Sequence, residues 1–194
     1  DVTATVVSIP LIAASVMSKK LAEGGDALVL DVKCGDGAFM KSEADARELA
    51  RTMVAIGARA GVRTEALITT MDAPLGRAIG NAVEIVECLE TLKGKGPADL
   101  VELSTALAAR MLVLAGRASE ADAETVVRRT LASGAALEKM RALIEAHGGD
   151  PRVVDDYGHH PEAGRRCAIR AARDGYVERL RAELVGRASM ALGA

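Results

Sequence analysis

DALVLDVKCGDGAFMK, residues 26–41, sets the architecture of this chain. Residues 26–33 hold a continuous apolar run of strand length, preceded by Gly24 and Gly25 and followed by the Gly-rich turn CGDGAF. Such runs read as buried parallel strands. Upstream, SIPLIAASVMSKKLAEG (8–24) reads as a helix: Ser8 is placed to cap, Pro10 falls in the first turn, and Gly24 and Gly25 stop it. Downstream, 42–57 reads as an amphipathic helix with Leu49, Met53 and Ile56 on one stripe, and 62–70, VRTEALITT, as a second strand. Helix, strand, helix, strand is the order of an α/β layer with parallel strands flanked by helices.

The rest of the chain is more helical. A loop opens into a helix near 81–93, GKGPADL makes a turn, and 99–115 is a strongly apolar helix. Ser119 with Asp122 has the spacing of a capping box, so 119–147 is expected to be helical with a break near Gly134. From Asp150 the texture changes: DPRVVDDYGHHPEAGRR is polar and rich in turn residues, and reads as a boundary. DGYV is a hairpin-like signal, and a short helix is expected at 182–192.

Composition narrows the function classes. The chain has 194 residues, 49% of them hydrophobic, which suffices for a core and excludes a disordered chain. Lys and Arg total 25 against 27 Asp and Glu, a balance that disfavours nucleic acid as a partner. One Phe, two Tyr and no Trp leave few rings to stack bases and favour tight helix packing over a sandwich. Cys34, Cys88 and Cys167 are widely spaced and odd in number, as expected of reduced thiols in a cytoplasmic protein. No apolar run approaches the roughly 18–20 residues of a membrane span, and no signal peptide is recognisable.

Several residues could carry chemistry. Ser15 and Lys19, four apart on one helix face with Leu11, Ala14 and Ser18, could hold the polar edge of a small ligand; the plainer reading is a solvated Lys beside a packed Ser. The turn 33–38, KCGDGA, lies where α/β ligands bind but lacks a full phosphate-loop spacing, so an ordinary connection is the simpler account. The loop 75–84, continuing to Glu87, offers carbonyls and a carboxylate suited to a hard cation, or a capping loop with Glu84 and Glu87 on a solvated face. His159 and His160 read as surface residues, Asp155 and Asp156 as a solvated turn, and Cys34 lacks the partner that thiol catalysis needs.

Taken together, four stretches closely resemble the thymidine/pyrimidine-nucleoside phosphorylase family. They are 1–41, RTEALITTMDAPLGRAIGNAVEIVE (63–87), GPADLVEL (96–103) and GGDPRVVDDY (148–157). The resemblance covers 1–157 and fades into 174–194. Anthranilate phosphoribosyltransferase is a more distant relative in fold and lacks this run of motifs. The resemblance implies phosphorolysis of a pyrimidine nucleoside (uridine, thymidine or deoxyuridine) to free base and (deoxy)ribose 1-phosphate. It implies that Ser15 and Lys19 hold the pyrimidine edge, with Lys19 catalytic, and that Phe39 and Met40 lie near the base. No organic cofactor is implied; a structural potassium ion is, on the carbonyls of Leu75 and Ala78 and the carboxylate of Glu87. The partners implied are nucleoside, phosphate and a second copy in a homodimer, with neither nucleic acid nor membrane.

The same resemblance implies a division into 1–24, part of a helical domain; 25–157, the α/β domain; and 158–194, the start of a C-terminal α+β domain. The family's base-binding Arg, its KHSTGG-like phosphate loop and its histidine would precede Asp1. The sequence is therefore expected to be an interior slice, and the 194 residues alone to be an inactive remnant or assembly module. VMSKK and GGDPRVVDDY lean towards the broader pyrimidine enzyme over a thymidine-restricted one. Nothing adds the contacts a nucleotide substrate such as AMP would need.

Overall fold

The computed structural model describes residues 7–193. The first six residues of the 1–41 motif, and Ala194, lie outside the described residues. Helix α1 (Ile9–Ala22) leads to strand β1 (Ala27–Cys34), helix α2 (Glu43–Arg59) and strand β2 (Arg63–Thr70). Helices α3 (Asn81–Leu92), α4 (Ala98–Leu114), α5 (Ala123–Ala132) and α6 (Ala135–Ala146) follow, then two short 3-10 turns and α7 (Ala182–Ala191). The fold is α/β. β1 and β2 pair in parallel from Ala27 opposite Arg63 to Cys34 opposite Thr70. The crossover between them is α2, the helical connection that parallel strands require.

Local chemistry explains the boundaries. Ser42 Oγ accepts the Asp45 N–H at 3.1 Å and starts α2. Ser8 occupies the cap position of α1, but its side chain makes no capping bond; the Pro in the first turn supplies the helical φ there. Gly24, at φ +75°, turns the chain out of α1.

One core holds α1, the sheet and α2 together. Ala13 and Met17 from α1, Leu30 and Val32 from β1, and Ala46, Leu49, Ala50 and Met53 from α2 are buried against one another. Burial of a side chain such as Leu49 or Met53 contributes roughly 1.5–3 kcal/mol. The opposite face of β1 is only half-buried, which corrects the expectation of a strand buried on both sides. Asp31 and Lys33 stand on that face, and α4 covers it. Arg110 of α4 donates to Glu65 of β2 at 2.9 Å and also pairs with Glu120.

Four further expectations are corrected. Ser119 Oγ accepts the Asp122 N–H, but the helix begins only at Ala123, so this motif closes the turn before α5. The DGYV signal forms no strand; Tyr176 and Val177 are fully or largely exposed, with no apolar face to bury. His160 is half-buried, its Nε2 3.3 Å from the Val153 carbonyl, whereas His159 is exposed. Asp155 is not merely solvated: Arg141 grips it at 2.8 and 3.1 Å. No helix among the described residues is long and apolar enough to cross a membrane.

Candidate active site

The Gly-rich turn is tied down on every side. Gly35 N–H reaches back to the Met40 carbonyl at 3.0 Å, and Gly37 N–H donates to the Met71 carbonyl at 2.9 Å. Asp36 N–H donates to Asp72 Oδ1 at 3.0 Å. Gly35 has φ +122°, and a Cβ there would sit 2.3 Å from Asp72 Oδ1, so both backbone shape and space demand glycine. This folding sends Met40 into the core, 4% exposed, and leaves Phe39 outside, 66% exposed.

Phe39 and Met40 line a cleft of about 650 Å³ between the turn and α1, which contributes Ile12 and Val16. Ser15 and Lys19 lie on the exposed outer face of α1 and do not line the cleft. The structure thus brings Phe39 and Met40 to one cavity and leaves Ser15 and Lys19 outside it, one helical turn apart on the exposed face of α1.

The other face of β1, under α4, holds charge that sequence reasoning missed. Lys33 Nζ lies 2.7 Å from Asp31 Oδ2 and donates to Thr69 Oγ1 at 2.9 Å. Thr69 in turn donates to Asp31 Oδ1 at 2.5 Å. The three half-buried side chains satisfy one another across β1 and β2, as groups leaving water must. The signal was available: an Asp and a Lys two apart in an otherwise apolar strand point to the same face.

The expected cation loop has a definite geometry. Glu87 Oε1 accepts the N–H groups of Arg77 at 2.9 Å and Ala78 at 3.1 Å. A Cβ on Gly76, which has φ +71°, would sit 2.2 Å from Glu87 Oε2. Asp99 accepts the Gly76 N–H at 3.0 Å, and the Gly76 bond, foremost among several causes, lowers its pKa. The carboxylate of Glu87 is therefore drawn into the loop that carries the Leu75 and Ala78 carbonyls. What Glu87 Oε1 meets there is two N–H groups of the loop. Among the described residues, no three of His, Cys, Asp and Glu gather as a metal-binding cluster.

The sequence that builds this strand, Gly-rich turn and cleft matches a known family. The family profile described as "Glycosyl transferase family, a/b domain" matches residues 1–137. The chain belongs to this glycosyl transferase family. The match ends in the first turn of α6 and so takes in the core of α1, the sheet and α2, the 75–80 loop and the lining of the cleft apart from Glu183. Among curated proteins, the chain is 51% identical over 195 aligned residues to the pyrimidine-nucleoside phosphorylases of Staphylococcus aureus strains USA300, NCTC 8325 and N315. Each alignment covers 100% of the chain and 45% of the relative. The chain thus spans under half the length of the curated relatives it matches.

Proposed function

We propose that the protein catalyses reversible phosphorolysis of pyrimidine nucleosides, with uridine, thymidine and deoxyuridine as substrates. The observation that carries this reading is the 51% identity, along the whole chain, to enzymes named pyrimidine-nucleoside phosphorylase. A hydroxyl and an ammonium share one exposed face of α1, the helix whose Ile12 and Val16 line the cleft walled by Phe39.

In the reaction the bond from C1′ to the base nitrogen breaks, and its electron pair leaves on the base. A phosphate oxygen bonds to C1′, and the departing base takes up a proton. Negative charge gathers on the base, so Lys19 donating to a pyrimidine carbonyl stabilises the transition state more than the substrate. Ser15, one turn away, orients the same polar edge. Phe39 covers the ring, and Met40 fixes the turn that carries Phe39. A potassium ion on the Leu75 and Ala78 carbonyls and Glu87 would hold the 75–80 loop. The enzyme so read is a cytoplasmic homodimer.

The complete gene product, mixed with each nucleoside, is expected to release free base only when phosphate is present. No release from any of the three overturns the proposal.

A second reading concerns the 194 residues by themselves, as an inactive assembly module. It is favoured by the sheet, whose two parallel strands leave their outer edges unpaired among the described residues apart from the single bridge of Cys34 to Met40. Base release by this segment alone would contradict it.

A further inference from the structure

We propose that Asp36 and Arg181 form a latch that positions the Gly-rich turn, making both of them positioning residues for the end of the cleft walled by Phe39. Only the kinetic arm of the test below rests on the phosphorylase reading.

Every polar group of Asp36 is engaged. Its N–H goes to Asp72, its carbonyl accepts Lys41 Nζ at 2.6 Å, and its Oδ2 accepts the Glu183 N–H at 3.2 Å. Arg181 Nε and Nη2 both meet Oδ1, at 2.9 and 2.8 Å. The carboxylate thus sits at the N-terminal end of α7, where the helix dipole favours negative charge. The guanidinium, foremost among several causes, holds the Asp36 carboxyl below its ordinary pKa.

The latch joins parts of the chain 145 residues apart. Residues 161–180 are exposed throughout, so docking contacts rather than the tether hold α7 to the body. Those contacts converge on two loops. Ala182 N–H donates to the Asp72 carbonyl at 3.0 Å, and Ser189 Oγ donates to the Ile79 carbonyl at 3.2 Å. Gly37 approaches Ala182 so closely that a Cβ on it would lie 2.8 Å from the Ala182 Cβ.

An exposed ion pair by itself contributes little stability. Here its effect is on position. Phe39 lies three residues beyond Asp36 in the same turn, and small displacements of substrate-positioning groups are costly. Losing the guanidinium loosens the turn, still held by the Asp36 and Gly37 N–H bonds, without unfolding the core, which lies on the α1 and α2 side.

The test uses full-length protein carrying Arg181→Ala, Asp36→Asn, both together, or Arg181→Lys. Amide hydrogen exchange at Asp36, Gly37 and Ala38 is expected to quicken about tenfold in Arg181→Ala, and no further in the double variant than in Asp36→Asn, which already lacks the guanidinium contact that Arg181→Ala removes. The KM for uridine is expected to rise about tenfold with kcat nearly unchanged, and Arg181→Lys to recover most of it. Wild-type exchange in Arg181→Ala, or effects that add in the double variant, would overturn the latch. If no nucleoside yields free base, the phosphorylase reading fails, while the exchange data still decide the latch.

Discussion

Gly57 of α2 packs against Thr64 of β2 so closely that a Cβ on the glycine would sit 2.0 Å from Thr64 Oγ1. The crossover helix lies down on the sheet at this point because one side chain is missing. Gly57→Ala would ordinarily strengthen a helix by about 1 kcal/mol. Here the clash reverses the sign, and a net loss of roughly 1–2 kcal/mol is expected, read by urea unfolding. Gly186 of α7 has nothing within 4 Å of an added Cβ. Gly186→Ala should therefore slow amide exchange in α7.

Glu87 is expected to link potassium to stability. The complete protein should melt at a higher temperature in potassium chloride than in choline chloride of equal ionic strength. At a potassium concentration ten times Kd the gain is about 1.4 kcal/mol. Glu87→Gln keeps an oxygen for the Arg77 and Ala78 N–H groups but loses the charge, and the potassium increment should vanish. An equal increment in both proteins would remove Glu87 from the cation site.

How far the sequence reached depends on the range of the interaction. β1, α2 and β2 begin and end within one or two residues of their expected bounds. Their signals are local: an apolar run, a Ser cap, and a stripe that put Leu49 and Met53 in the core. The Ser119 motif shows the limit of local reading, since the same bonds close a turn as readily as they start a helix. At the site, the Ser15 and Lys19 spacing was visible but their purpose was not; only the family resemblance supplied one. Met40 was expected near the base, and its side chain is mostly committed to the core. The Asp36–Arg181 pair left no sequence signal, because contacts 145 residues apart have no periodicity to read.

Acid should act first where a carboxylate is held by a neighbour. Arg152, through its side chain and its N–H, lowers the Asp150 pKa to about 2. A depressed carboxylate stabilises the fold above its unfolded pKa, about 3.9, and that contribution is lost as pH falls through the folded value. The first 3-10 turn, Pro151–Val154, which Asp150 caps, is therefore expected to loosen between about pH 4 and pH 2. Carboxyl chemical shifts followed by NMR should place the Asp150 midpoint near 2. A midpoint near 4 would mean the Arg152 contact is absent in solution.

The most direct test of the central claim is kcat/KM for uridine and thymidine with phosphate, measured on the complete gene product and on its Lys19→Ala variant. Phosphate-dependent release of base by the wild type is expected, with a fall of about 10²–10³-fold in the variant. No base released by the wild type, or an unchanged kcat/KM in Lys19→Ala, would contradict it.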